Sequence, residues 1–116
     1  MVSHSNRPAA NQPMYIISVA AKMVKLHPQT LRHYESLGLV IPQRSQGNVR
    51  LYSPVDIDRL RQISRLSDEL GVNLAGVQII LDMRERLERL QLEMDTMQAE
   101  LKAEITHLRK RLFESS

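Results

Sequence analysis

His27-Pro28-Gln29-Thr30-Leu31-Arg32-His33-Tyr34-Glu35-Ser36-Leu37-Gly38 is the stretch whose reading decides the fold. Proline is tolerated at the first position of a helix, where its missing N–H would have no intrahelical partner, and glycine is favoured just past the last turn. This spacing predicts a helix from Pro28 to about Leu37, closed by Gly38. Leu31, Tyr34 and Leu37 recur at every third residue and are expected to face inward. Gln29, Arg32, His33 and Ser36 follow i, i+3, i+4, i+7, which gathers them on the opposite face.

Upstream, order is expected to begin near Met14-Tyr15-Ile16-Ile17, with Ser18 capping a short helix Val19 to Val24. Ala20 and Ala21 are small enough for close packing, and Lys25-Leu26 forms the turn. Two short helices joined tightly, the second presenting Gln, Arg and His outward, describe a helix-turn-helix.

Downstream, Leu39 to Arg44 reads as a short strand, with Pro42 requiring an edge or a break. Ser45-Gln46-Gly47-Asn48 is turn material, and Val49-Arg50-Leu51-Tyr52 alternates like a second strand. A small hairpin tipped by Gly47-Asn48 and flanked by Arg44 and Arg50 is the expected product, a basic wing beside the second helix. Ser53 then caps a third helix with Pro54 at its first position and Asp56 in its first turn. Ile57, Leu60, Ile63, Leu66 and Leu70 form the apolar stripe of that helix, and Gly71 ends it. Asn73 caps a fourth helix in which Leu74, Val77, Ile80 and Leu81 face inward.

From Met83 onward the apolar positions are Met83, Leu87, Leu90, Met94, Met97, Leu101, Ile105, Leu108 and Leu112. The steps alternate between four and three residues, with one extra four-residue step from Leu101 to Ile105. The span from Leu87 to Leu112 is ~39 Å of helix at 1.5 Å per residue. No second amphipathic segment is available to cover this seam, so a second copy of the chain is the simplest partner. The expected organisation is a polar tail over 1–13, a DNA-binding head over 14–82 and a dimerisation helix over 83–116.

Composition agrees with that division. Of 116 residues, 42% are hydrophobic and 25% charged, while aromatics are 3%, so the core must rest on Leu, Ile, Val and Met. Residues 1–66 hold 9 Lys and Arg against 3 Asp and Glu, and residues 67–116 hold 7 against 10. A formal +6 at the front and −3 at the back accounts for the net +3 and places the attraction for a polyanion in the head. With no cysteine, disulfides, thiolate metal sites and thiol redox sensing are excluded, which fits a cytoplasmic protein. No apolar run approaches the ~18 residues of a membrane span, and the tail lacks the apolar stretch of a signal peptide.

Several separate motifs resemble, in order and spacing, the DNA-binding head of MerR-family regulators. They are Tyr15-Ile16-Ile17-Ser18-Val19-Ala20-Ala21, Thr30-Leu31-Arg32-His33-Tyr34-Glu35, Gly38-Leu39, Pro42-x-Arg44 and Arg50-Leu51-Tyr52-Ser53, and the resemblance covers roughly 14–90. Within that family, His27 to Arg32 and Gly71 to Val77 look like the heat-shock repressor branch, HspR. Metal-sensing members carry cysteines in or beside the dimer helix, and drug-sensing members carry a large effector domain; this sequence holds no cysteine, and no effector domain is expected after Ser116. The wing departs from the branch pattern: Gln46-Gly47-Asn48-Val49 before Arg50-Leu51-Tyr52-Ser53 is closer to the general MerR wing. The resemblance implies a mainly α fold, a winged helix-turn-helix head followed by a long helix that pairs antiparallel with its copy. It also implies double-stranded DNA with an inverted-repeat operator, repression of heat-shock genes, and the DnaK chaperone as co-repressor.

On this reading Arg32 is suited to guanine and Gln29 to adenine, against the alternative of an ordinary solvated face. Lys22, His27, Thr30 and His33 are expected at the same DNA surface, and Tyr34 is expected in the core with its hydroxyl toward phosphate. Arg44, Asn48, Arg50 and Tyr52 are expected as backbone contacts, Arg50 having an internal salt bridge as its competing role. His4, His27, His33 and His107 offer no ligand pair on one face, so neither a metal nor another cofactor is expected. No nucleophile–base arrangement, paired carboxylates or phosphate loop points to an enzyme. Two alternatives stand beside repression: activation by distorting promoter DNA, and an adaptor whose coiled coil recruits a partner.

Overall fold

The computed structural model describes residues 12–115, so the polar-tail expectation for 1–13 lies almost wholly outside the described residues. The elements are β1 (Tyr15–Ile16), α1 (Ile17–Val24), α2 (Pro28–Ser36), β2 (Gln43–Arg44), β3 (Arg50–Tyr52), α3 (Pro54–Ser64) and α4 (Leu74–Ser115). A π-helical turn, Arg65–Glu69, continues α3. The chain divides into two compact units, one ending at Ile80 and the other beginning at Leu81.

In the first unit α1 packs against α2, α3 and β3. Its core is Ala20, Ala21, Leu31, Tyr34, Leu39, Val40, Tyr52, Ile57, Leu60, Ile63, Leu66 and Val77, each at most 5% exposed. Burying these apolar side chains is the main force that closes the small head. Helix boundaries follow local chemistry. Ser53 Oγ accepts the Asp56 N–H at 3.1 Å while Asp56 Oδ2 accepts the Ser53 N–H at 3.0 Å, a reciprocal cap on two otherwise orphaned donors. Asn73 Oδ1 accepts the Gly76 N–H at 2.8 Å and starts α4. At the end of α2 the Leu39 N–H donates to the Tyr34 carbonyl and the Gly38 N–H to Glu35, with Gly38 at φ 76°. That left-handed turn is open to glycine without a Cβ penalty.

Five details differ from the sequence expectation. First, α1 begins at Ile17 with Ile16 in the cap position, not with Ser18 as cap, because β1 runs directly into the helix. Second, β1 completes a three-stranded antiparallel sheet in the order β1-β3-β2, pairing Tyr15 with Tyr52 and Ile16 with Leu51. Third, the strand expected from Leu39 shrinks to Gln43–Arg44, since Pro42 has no ladder donor and Leu39 and Val40 are buried as coil. Fourth, Leu37 lies at the cap of α2 and is 47% exposed instead of facing inward. Fifth, Leu70 falls off the α3 stripe and is 62% exposed, because the wider π-helical turn adds a residue and rotates the positions after it.

The second unit lies within α4, which is continuous from Leu74 to Ser115. Each of the nine seam residues from Met83 to Leu112 is between 47% and 69% exposed. No described helix is long and apolar enough to cross a membrane.

Candidate nucleic-acid interface

The α2 helix starts on a side-chain cap. His27 Nδ1 accepts the Gln29 N–H at 3.0 Å, and Pro28 occupies the first helical position. Gln29, Arg32, His33 and Ser36 are all exposed, as their spacing predicts. Arg32 Nη1 donates to Gln29 Oε1 at 3.2 Å, so the two side chains suited to base edges already lie together. Ser36 Oγ donates to the His33 carbonyl at 2.6 Å. On the other side Thr30 is half-buried, while Leu31 and Tyr34 are in the core. Burial, and then the negative charge of Asp68, raise the Tyr34 hydroxyl above its ordinary pKa. Lys22 is exposed in the last turn of α1.

The wing closes through a tight turn in which Asn48 takes a left-handed backbone at φ 61°, a conformation asparagine tolerates better than most residues. The Asn48 N–H donates to the Ser45 carbonyl and the Ser45 N–H to Val49. Arg44 Nη1 reaches the Asn48 carbonyl at 3.5 Å, and its Nη2 lies 2.8 Å from Glu35 Oε2. Arg50 Nε lies 2.5 Å from Glu35 Oε1. The internal salt bridge considered for Arg50 is thus present, and Arg44 shares it. Burial pulls the Glu35 carboxyl upward, but hydrogen bonds and charge from Arg50 and Arg44 outweigh that effect and hold its pKa below the ordinary carboxylate value.

Tyr52, expected among the backbone contacts, is placed in the core at 0% exposure. Alternation along β3 turns it inward, where it sits among side chains of the first unit. Burial pushes its hydroxyl up to about 12, with Glu35 adding to the shift, and the hydroxyl oxygen has no hydrogen-bond partner. Removing an unpartnered buried hydroxyl while keeping the ring should not cost stability. Tyr52→Phe is therefore expected to leave the urea midpoint unchanged or raise stability by up to about 1 kcal/mol. A loss larger than about 1 kcal/mol would mean the hydroxyl is hydrogen-bonded in solution.

Two residues that hold this surface escaped the sequence reading. Glu35 ties α2 to the wing, and Arg59, 6% exposed, donates from Nε to the Leu39 carbonyl under the chain that leads into the wing. A signal existed for the first: Glu35 is the sole carboxylate among residues 1–55. None existed for Arg59, whose partner is a main-chain carbonyl twenty residues away. Among the described residues, no group of His, Asp and Glu side chains is placed to hold a metal ion.

The model of the MerR HTH family of regulatory proteins matches residues 15–84. A protein of Streptomyces coelicolor that bears the name heat shock protein HspR is 46% identical over 99 residues, covering 85% of this chain and 66% of that protein. The HTH-type transcriptional regulator GlnR of Bacillus anthracis is 38% identical over 73 residues, covering 63% of this chain and 56% of the relative. The chain thus spans roughly half to two-thirds of the length of these relatives. The transcription regulator PbrR691 of Ralstonia metallidurans, solved in complex with lead(II), is 31% identical with a TM-score of 0.58, covering 86% of this chain and 81% of that one. HiNmlR, a MerR family regulator lacking the sensor domain and solved bound to promoter DNA, shares the fold at 23% identity and a TM-score of 0.59 over 86% of this chain and 79% of that one. The chain belongs to the MerR HTH family of regulatory proteins.

Proposed function

We propose that the chain represses heat-shock (chaperone) genes by binding an inverted-repeat operator in double-stranded DNA as a homodimer. The observation that carries the DNA-binding part is the outward row Gln29, Arg32, His33 and Ser36 on a helix whose far side is buried through Leu31 and Tyr34. An α-helix so presented fits the major groove, where arginine pairs with guanine and glutamine with adenine. Lys22, His27, Thr30 and Asn48 then contact the DNA backbone around it. The basic balance of residues 1–66 supplies the sequence-independent attraction. The heat-shock part is supported by the 46% identity to the Streptomyces coelicolor protein named HspR. In this reading the seam on α4 pairs antiparallel with its copy, and DnaK acts as co-repressor.

Arg32→Ala is expected to cost about 1–3 kcal/mol on operator DNA and to relax specificity at the contacted base pair. A gel-shift titration measures it, and an unchanged operator affinity would remove Arg32 from the reading face. For the regulatory sign, deleting the gene should raise chaperone transcripts. A fall would make the protein an activator, and no change would end the heat-shock assignment.

A further inference from the structure

Both wing arginines end on one carboxylate. Arg44 Nη2 lies 2.8 Å from Glu35 Oε2 and Arg50 Nε lies 2.5 Å from Oε1, so two cations take separate oxygens of a single anion. A carboxylate accepts from several donors at once, so the two contacts do not compete. Arg44 and Arg50 are register partners across β2 and β3, which sends their side chains off the same face of the hairpin toward α2. Side-chain exposures of 37% and 29% for the arginines and 21% for Glu35 leave the cluster at the surface but shielded more than a free pair.

An arginine offset by a carboxylate attracts phosphate weakly, whereas a released arginine attracts every phosphate regardless of base sequence. We propose that Glu35 is a specificity-determining residue, which locks the wing to α2 and withholds the charge of Arg44 and Arg50 from indiscriminate phosphate contact. The proposal rests on the DNA-binding reading above. A purely structural tie would behave differently. Its loss would weaken all DNA equally and leave the salt dependence alone.

The test uses the full chain and two duplexes of equal length, one selected by the wild type from a random pool and one scrambled. Fluorescence anisotropy titrations run from 50 to 200 mM salt. For Glu35→Gln the scrambled duplex is expected to bind more tightly at low salt. Its log–log salt slope should steepen by ~0.9 for each released arginine, which is a further ~3.5-fold loss across that salt range per arginine. The ratio of selected to scrambled affinity should fall, and adding Arg44→Ala should reverse part of the steepening. An unchanged slope and ratio, or an equal weakening on both duplexes, overturns the proposal. If Glu35→Gln does not fold, Arg44→Ala in the otherwise unchanged chain is the second variant: a withheld arginine leaves the scrambled-duplex salt slope where it was, and a slope shallower by ~0.9 overturns the proposal. A wild type that selects no duplex overturns the DNA-binding reading itself, a result distinct from all of these.

Discussion

Placing lysine at both Met97 and Leu101 should convert the proposed dimer to monomer and remove operator binding at physiological salt. These two positions lie at the middle of the seam, so they meet the partner helix whichever direction it runs. Each is 60% exposed in the single chain, so their apolar surface is left for the partner helix to cover in the proposed dimer. A lysine in the centre of a coiled-coil seam must be desolvated without a matching anion, and two in each chain double the penalty. Loss of pairing also removes the linkage between the two heads. A head on its own forfeits an avidity gain of about 10²–10⁴ on a two-half operator. The freed helix should also fray, because a long exposed helix owes most of its stability to packing of its apolar face. Sedimentation equilibrium would show the mass halving, and circular dichroism the loss of helix. If the mass stays at one chain for the wild type, or at two for the lysine variant, the seam is not the dimer interface.

Leu60→Ala is expected to destabilise the head by about 2–5 kcal/mol. Leu60 is 0% exposed, and it lies on α3, which packs against α1 and β3 beneath the wing. Truncation removes the transfer energy of the lost methyl groups and leaves a cavity that a close-packed core fills only in part. A domain of this size has roughly 5–15 kcal/mol of total stability, so the loss is a large share. The aromatic content of 3% leaves few large side chains that can move into the gap. Urea unfolding followed by circular dichroism measures the change. A loss under about 1 kcal/mol would show that the site collapses freely or that Leu60 is not central.

Much of this protein was legible without its fold. The outward face of α2, the proline and glycine that bound it, the Ser53 cap and the apolar spacing from Met83 to Leu112 all come from relations within about a turn of chain, although Leu37 left the inner face. Such relations are encoded by residue spacing, so the sequence determined them by itself. The tertiary structure alone decided what depends on distant chain. Two-residue β1 is a strand only because β3, much later in the chain, offers it a ladder. Leu39 and Val40, strand-like in composition, are buried as coil because Arg59 satisfies the Leu39 carbonyl from α3. Leu70 leaves its stripe because a π-helical turn changes the phase of the helix before it arrives. The wing shows the same division: its arginines were visible at once, and their shared carboxylate on α2 was not. Spacing along the chain sets which face a side chain takes, but which charges meet across nine and fifteen residues is set by packing.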